Sequence, residues 1–296
     1  MKLRQSERKK AKIKLALQGS SGSGKTYSSL LLAKGLTGGD LTKVAIIDTE
    51  SGSADLYAHL GNYNVISMQS PFSPEKYIEA ISICEKANMS VIILDSISHC
   101  WDFLLDIHSN MPGNSFTNWG KITPRQNAFI NKILQCNAHI IVTMRVKQDY
   151  VLNQKNGKFI PEKVGLKAIQ RNDLDYEFTI VFDLDIIHQA KANKDRTGLF
   201  IDKPEFVINA ATGKKILTWC NKGSELEINK IEVEINECET LEGLRHVYSK
   251  YPLLKQQIKA LVLKKKAQLE NIDSQVISNT QIIQQNNNNN NGTHSN

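Results

Sequence analysis

The stretch best suited to chemistry lies near the amino terminus and combines three glycines with a lysine and a threonine. It satisfies the pattern GxxxxGK[ST] and consists of Gly19, Ser20, Ser21, Gly22, Ser23, Gly24, Lys25 and Thr26. The glycines allow the backbone to curl so that successive N–H groups face a phosphate chain. Lys25 adds a positive charge, and the Thr26 hydroxyl is suited to bind Mg²⁺. The stretch predicts a phosphate-binding loop for ATP and Mg²⁺.

An acidic residue at the end of an apolar run supplies a second part of this chemistry. The run VIILD, residues 91–95, is short and rich in β-branched residues, which predicts a central buried strand. At the carboxyl end of that strand, Asp95 is placed to hold Mg²⁺ together with Thr26. An aspartate in this position also commonly caps a helix, but the phosphate-binding loop upstream favours the metal site.

Hydrolysis of ATP further requires a group that positions or deprotonates water. Glu50, within VAIIDTESGSADLY, follows an apolar run and lies among small residues that leave room for a substrate. Asp48 is the alternative, and either carboxylate can instead form a cap or a loop hydrogen bond. We predict that Glu50 is the base.

The elements that must position these residues alternate along the first half of the chain. Strand-like apolar runs occupy 12–18, 43–48, 64–68, 91–95 and 139–146, and helix-like stretches occupy 25–36, 74–88 and 123–137. This alternation predicts an α/β fold with a mostly parallel central sheet flanked by helices.

Beyond residue 146 the pattern changes to β-hairpins and then to helices. Asn156-Gly157 predicts one hairpin turn, and KDRTG, residues 194–198, is expected at the turn of a second hairpin. We therefore predict four regions: a basic arm at 1–11, an ATPase domain at 12–221, a small helical appendage at 225–272 and a disordered Asn-rich tail at 273–296.

Charge and composition narrow the classes of protein that fit. The net charge is +7, and seven of the first 14 residues are Lys or Arg while one is Glu, so a basic arm carries most of the excess. The five cysteines are widely spaced without a CxxC pair, which indicates neither a zinc site nor a disulfide framework. Because no apolar run is long enough to span a bilayer and no signal peptide is evident, we expect a cytoplasmic protein of a bacterium or a phage-infected cell.

Two long polar stretches, 108–126 and 145–171, mix aromatic residues with cations. Aromatic faces that stack on bases, together with cations along a phosphate backbone, are what non-specific single-strand binding requires. The predicted nucleic-acid contacts are Trp119, Arg145, Lys147, Tyr150, Lys158 and Phe159. The alternative is an ordinary charged hairpin whose aromatic residues pack inward.

Three motifs together resemble the ATPase core of RecA-type proteins, a group that includes the replicative hexameric helicases. They are the loop at 19–26, IIDTE at 46–50 and VIILDS at 91–96, and the resemblance covers roughly residues 12–220. The overall layout is still more similar to P-loop ATPases of phages and mobile elements that are linked to single-strand annealing recombination. This resemblance implies a homo-oligomeric ring or filament, single-stranded DNA as a ligand, and other recombination or replication proteins as possible partners.

The resemblance also implies a role for Lys194 and Arg196. In RecA-type proteins a basic pair on a late hairpin reaches the γ-phosphate bound by the neighbouring subunit. The two residues are separated only by Asp195, so on an extended chain both project to the same side. Their own phosphate-binding loop is another possible target, and a plain solvated turn is the simplest alternative.

One departure from the family concerns the strand at 139–146. RecA-type proteins commonly carry a polar amide after this strand that senses the γ-phosphate, whereas here the strand ends in Thr143-Met144-Arg145. Thr143 is one candidate for that role, and Arg145 is a candidate for contact with phosphate or nucleic acid.

Taken together, these features predict a DNA-stimulated ATPase that acts on single-stranded DNA. A P-loop kinase for a small molecule is one alternative, although it would have no need of a late basic pair. A non-hydrolysing, ATP-switched scaffold that loads a recombination protein is another.

Overall fold

A computed structural model describes residues 11–155, 158–171, 174–252 and 254–271, except for the side chains of 148–155, 158–166 and 223–227. The chain divides into two compact units, Ala11–Cys220 and a second that contains the described residues from Asn221 onward. The predicted turn at Asn156-Gly157, residues 1–10 of the arm predicted at 1–11, and the tail predicted at 273–296 lie outside the described residues.

Nine strands occur in the described part of the first unit: β1 (Lys14–Gly19), β2 (Val44–Asp48), β3 (Asn64–Ser67), β4 (Val91–Asp95), β5 (His139–Lys155), β6 (Lys158–Ala168), β7 (Ile180–Leu184), β8 (Gln189–Asp195) and β9 (Phe206–Val207). The helices are α1 (Lys25–Leu36), α2 (Pro74–Lys86), α3 (Ser98–Ser109), α4 (Ser115–Gln135), α5 (Ala210–Glu237) and α6 (Leu241–Lys250). Short 3₁₀ segments span Leu41–Lys43, Ser53–Leu60 and Leu174–Glu177.

The sheet has the order β3-β2-β4-β5-β1-β7-β8-β9, with β6 paired to the outer part of β5. Strands β1 to β5 and β7 are parallel, whereas β6, β8 and β9 pair antiparallel with their neighbours. The predicted mostly parallel sheet with late β-hairpins is therefore confirmed. Because the register aligns Asp48 with Asp95, and Gly19 with Arg145, the carboxyl ends of β1, β2 and β4 meet beside the middle of β5.

The side chains of strand β4 show that both faces of the sheet are covered by other elements. Val91 and Ile93 pack into one apolar cluster, while Ile92 and Leu94 pack into another on the opposite face. Helix α1 contributes to the first cluster, and helices α2 and α4 contribute to the second. A strand that is buried on both faces consists almost entirely of apolar residues. This is why β4 could be predicted from the sequence with correct bounds.

Helix α4 differs from the prediction, which placed its start at residue 123. It begins at Ser115 because the side chain of Asn114 accepts a hydrogen bond from the Phe116 N–H at 2.8 Å, and Pro124 lies inside the helix. Much of the polar stretch 108–126 is therefore helical and not an irregular segment.

The second hairpin also differs, since KDRTG does not form the turn between β7 and β8. That turn comprises residues 185–188, where the Asp185 carboxylate accepts hydrogen bonds from the N–H groups of Ile187 and Gln189. Ile186 and Ile187 are 74% and 69% exposed. Because both residues are apolar, the sequence pattern predicted that the strand continues through the residues that form the turn.

The second unit is helical, which confirms the predicted helical appendage. It contains the end of α5, helix α6 and a further helix over residues 255–271. Its small core consists of Ile231, Ile235, Leu244, Ile258 and Leu269. No helix among the described residues is both long and apolar enough to cross a membrane.

Candidate active site

The glycine-rich loop joins β1 to α1 at the edge where the parallel strands end. Gly22 and Gly24 adopt left-handed backbone angles, with φ of 79° and 82°, which residues with a side chain rarely adopt. A methyl group on Gly19 would lie 2.6 Å from the carbonyl oxygen of Leu184. The loop therefore needs glycine at these positions to hold its shape.

Lys25 directly follows the last glycine of the loop, and its ammonium group contacts backbone carbonyl groups of the loop. Its Nζ donates hydrogen bonds to the carbonyl oxygens of Gly19 at 2.9 Å and Ser20 at 2.8 Å. Burial lowers the pKa of Lys25, and the charges of Asp95 and Glu50 oppose that shift. A phosphate chain bound in the loop would favour the charged form further.

Asp95 is 2% exposed and accepts hydrogen bonds from two hydroxyl groups. Thr26 Oγ1 and Thr143 Oγ1 each lie 2.5 Å from one of its carboxylate oxygens. Burial raises the pKa of Asp95, and the two hydroxyl hydrogen bonds oppose this rise. Thr143, one candidate for a phosphate sensor, thus contacts Asp95 directly.

The oxygen atoms of Thr26 and Asp95 form a donor set that suits Mg²⁺, a hard cation that binds few protein ligands and completes its shell with water and phosphate. Among the described residues, no cluster of three or more His, Cys, Asp or Glu side chains could hold a metal ion by itself.

Glu50 forms a two-pronged ion pair with Arg145, which lies 95 positions later in the chain. Arg145 Nε is 3.0 Å from Glu50 Oε1, and a terminal guanidinium nitrogen binds Oε2. Burial opposes ionisation of Glu50, but the hydrogen bonds and charge of Arg145 outweigh it, so the pKa of Glu50 is lowered. Glu50 is thus held as a carboxylate.

Asp48, the alternative base, has both carboxylate oxygens occupied by the backbone. One accepts the Glu50 N–H at 2.6 Å, and the other accepts the Ala54 N–H at 3.2 Å. Asp48 is buried and shapes the loop, whereas Glu50 lines the adjoining cleft. This geometry favours Glu50 as the carboxylate that meets a substrate.

A polar network that sequence reasoning missed joins the ends of β2 and β4. Thr49 Oγ1 accepts the Ser96 N–H at 2.9 Å and lies 2.8 Å from His99 Nδ1. Burial, followed by the charge of Arg145, lowers the pKa of His99. Threonine and histidine are too common in loops and helices for either residue to have stood out.

The cleft over the glycine-rich loop has a volume of about 800 Å³, within the range of small-molecule sites. Glu50, Asp95, Lys25 and Arg145 form its polar part. Its lining also includes Tyr27, Tyr57, His188, Val207 and Ile208, and the centres of the two tyrosine rings lie 5.5 Å apart. The cleft therefore combines charged side chains with aromatic and aliphatic ones.

Lys194 and Arg196 lie far from this cleft within their own chain. Asp195, between them, pairs with Ile180, the first residue of β7, whereas the last residue of β7 pairs with Gly19. Four residue steps along a strand separate the two ends by about 13 Å. The pair thus lies near the amino-terminal end of β7, whereas the glycine-rich loop lies near its carboxyl end, and neither cation lines the cleft.

The two cations do project to the same side, as the spacing predicted. Lys194 Nζ donates to the Asp175 carbonyl at 2.8 Å, and Arg196 donates to the Tyr176 carbonyl at 2.9 Å. Asp195 instead accepts hydrogen bonds from the following loop. Whether the pair reaches a neighbouring subunit remains a prediction.

A second concavity of about 1340 Å³ lies between α3, α4 and the base of the β5–β6 hairpin. We call it the aromatic groove; its lining includes Trp101, Leu105, Phe116, Trp119, Lys147, Lys167 and Arg171. Trp119 stacks on His108 at 4.1 Å and on Trp101 at 5.9 Å between ring centres. Phe116, by contrast, is 86% exposed.

The predicted nucleic-acid residues separate into three groups. Trp119 and Lys147 line the aromatic groove. Arg145 instead lines the cleft and binds Glu50, so its assignment to nucleic acid is not supported. The side chains of Tyr150, Lys158 and Phe159 lie outside the described residues.

Comparison with known proteins identifies the family to which the chain belongs. Residues 11–207 match the family model described as an AAA domain. A KaiC-like protein from the hyperthermophilic archaeon Pyrococcus horikoshii OT3 aligns with a TM-score of 0.41 and 16% identity, over 69% of this chain and 96% of that chain. No match was found among curated proteins. Since the family match spans more than half of the chain, including the glycine-rich loop, Glu50 and Asp95, the chain belongs to the AAA domain family and has the core of a P-loop ATPase.

Proposed function

We propose that this protein hydrolyses ATP with Mg²⁺ and thereby acts on single-stranded DNA, as a homo-oligomer in phage or mobile-element recombination or replication. The observation that carries the ATPase part is the convergence of Lys25, Asp95 and Glu50 on one cleft. Family membership supports nucleotide hydrolysis. The action on single-stranded DNA is supported by the aromatic groove and by the resemblance in sequence.

In the proposed reaction, a water oxygen bonds to the γ-phosphorus of ATP while the bond from that phosphorus to the β–γ bridging oxygen breaks. Glu50 accepts the proton of the water, and ADP and phosphate leave. Lys25 and the backbone N–H groups of the loop bind the phosphate oxygens. Asp95 and Thr26 would hold Mg²⁺, which neutralises charge on the phosphates when bound.

Arg145 controls how available Glu50 is for this step. Its guanidinium binds both carboxylate oxygens and helps to lower the pKa of Glu50, and a carboxylate with a lower pKa is a weaker base for the proton of water. We infer that the ion pair loosens when ATP binds and that Arg145 then faces the phosphate chain. The position of Arg145 on the wall of the same cleft supports this role.

A neighbouring copy of the chain is proposed to supply Lys194 and Arg196. The cleft contains two Lys or Arg side chains among the described residues, Lys25 and Arg145, and neither Lys194 nor Arg196 lines it. A further cation is what a transferring phosphoryl group requires for fast hydrolysis. Because Lys194 and Arg196 do not line the cleft of their own chain, a partner copy is the source that fits the resemblance.

Single-stranded DNA is proposed to bind in the aromatic groove. Phe116 exposes almost its whole ring there, and Lys147 and Lys167 line the same concavity. Unpaired bases can stack on such a ring while lysines contact the phosphates. In duplex DNA the bases are already stacked on each other, so this arrangement favours single strands.

Phosphate release from ATP by the full-length protein tests the ATPase part. We expect Mg²⁺-dependent hydrolysis that Lys25→Ala abolishes and that Lys34→Ala, a change on the same helix but outside the cleft, leaves intact. ATP binding without any phosphate release would favour the switched scaffold. Transfer of the γ-phosphate to a small molecule, but not to water, would favour the kinase.

A further inference from the structure

His188 occupies the turn between β7 and β8, a position that the proposed mechanism does not use. Its backbone has a φ of 66°, in the left-handed region that favours glycine. The turn is held by a hydrogen bond from the His188 N–H to the Asp185 carbonyl at 3.2 Å and by the bonds that the Asp185 side chain accepts. A residue with a side chain in this conformation is commonly found where a functional site requires it.

The His188 ring lies against the glycine-rich loop. A methyl group placed on Gly24 would be 3.1 Å from His188 Nδ1, so the imidazole covers the loop just before α1 begins. The same side chain lines the cleft. Register explains the proximity, because the last residue of β7 pairs with Gly19 and thus brings the following turn beside the loop.

Gly24 is the residue whose backbone precedes the first turn of α1. In loops of this pattern, the backbone N–H groups contact the α- and β-phosphates, while the lysine reaches the β- and γ-phosphates. An imidazole beside Gly24 is therefore placed to donate a hydrogen bond to the part of the phosphate chain that ATP and ADP share.

We propose that His188 is a nucleotide-binding residue that contacts the phosphates common to ADP and ATP. The proposal rests on the proposed nucleotide site but not on hydrolysis or on DNA. A contact made equally with substrate and product changes affinity without changing the rate of the chemical step. His188 therefore contributes to KM and to the affinity for ADP, but not to kcat.

The test compares His188→Ala, His188→Gly and His188→Gln with the wild type by calorimetric titration of ADP and by ATP turnover. We expect the Ala and Gly variants to weaken ADP binding roughly tenfold, the loss typical of one hydrogen bond to a charged group. KM for ATP should rise by a similar factor, with kcat unchanged. Gln retains a donor and should restore part of the affinity.

Backbone strain supplies a control that separates binding from folding. His188→Gly should leave the melting temperature equal or higher, because glycine adopts a φ of 66° at little cost. Asn88→Gly relieves a similar φ of 55° just after α2, outside the cleft, and should leave ADP affinity unchanged. Weaker binding in both His188→Gly and His188→Ala, in proteins that fold as well as the wild type, assigns the loss to the side chain, because alanine does not add the backbone freedom of glycine.

Unchanged ADP affinity in both His188→Ala and His188→Gly would overturn the proposal. A fall in kcat with an unchanged KM would also overturn it, because it would assign His188 to the chemical step. If the wild type bound neither ADP nor ATP, the proposed nucleotide site itself would be wrong. If ADP bound but ATP were not hydrolysed, the ATPase proposal alone would fail and the titrations would still decide the role of His188.

Discussion

The cleft and the aromatic groove lie on the same unit of the chain but are built in opposite ways. In the cleft, the carboxylates are held by neighbouring side chains: Asp95 binds two hydroxyls, and Glu50 binds Arg145. In the groove, Phe116 is almost fully exposed beside the lysines of the β5–β6 base. Chemistry on a phosphate needs groups fixed in advance, whereas a flexible single strand needs exposed rings and charges.

The largest expected effect comes from removing the cation of the glycine-rich loop. Lys25→Ala should reduce ATP turnover by at least about a thousandfold, because it removes charge at the transferring phosphate. The melting temperature should change little, since the hydrogen bonds that Lys25 Nζ makes to the described residues go to two carbonyls of the loop. Steady-state phosphate release and thermal unfolding measure the two effects. Turnover equal to that of Lys34→Ala would show that the cleft does not bind the phosphate chain.

Arg196→Ala tests whether the cleft is completed by another copy. It should lower turnover by roughly 10³-fold while ATP binding is retained, which is the scale for a cation supplied in trans. Mixed with Lys25→Ala, which keeps an intact Arg196, it should regain activity through hybrid interfaces. Mixtures that co-assemble but show no recovery would reduce Arg196 to a structural residue that holds the Tyr176 carbonyl.

Glu50→Gln should lower turnover by about a hundredfold or more, the scale for loss of a general base, while ATP remains bound. Asp48→Asn is the matched comparison, since it changes the other carboxylate of the same loop. Because Asp48 accepts two backbone N–H groups, its replacement should lower the melting temperature more than Glu50→Gln does. Trapped ATP in Asp48→Asn but not in Glu50→Gln would exchange the two roles.

The smallest effect concerns the pH dependence of the cleft. Arg145 helps keep the pKa of Glu50 below its ordinary value against the opposing effect of burial. Arg145→Gln removes the charge, so the pKa of Glu50 should rise and the acidic limb of the pH–rate profile should move to higher pH. Profiles of kcat/KM measured for both proteins test this. An unmoved acidic limb would show that Glu50 is not the group whose ionisation limits the rate.

Those parts of the fold and of the site that are formed by consecutive residues could be predicted from the sequence. The glycine-rich loop is eight consecutive residues, and β4 is a buried run that ends at the acidic residue it positions. The start of α4 was missed because Asn114 caps it in a stretch that otherwise resembled a loop. The exposed Ile186 and Ile187 concealed the turn between β7 and β8.

Contacts between distant residues were not predictable from patterns along the chain. The pair of Glu50 and Arg145 depends on the register of β4 with β2 on one side and β5 on the other, and His188 reaches Gly24 because β7 lies beside β1. The residues next to Glu50, Arg145 or His188 in the sequence do not indicate which strands pair or in which register. Arg145 was therefore grouped with cations near it in sequence, although its partner lies in the cleft.

The central claim, that a nucleotide cleft and a single-strand groove work together, is tested by phosphate release measured against increasing single-stranded DNA. We predict that DNA stimulates the wild type. Phe116→Ala should require roughly tenfold more DNA for the same stimulation, in line with the loss of one base-stacking ring, while its basal rate stays unchanged. Ile83→Ala, which removes an exposed apolar side chain of α2 outside the groove, should behave like the wild type. An ATPase that single-stranded DNA does not stimulate, or one stimulated equally in Phe116→Ala, would contradict the account.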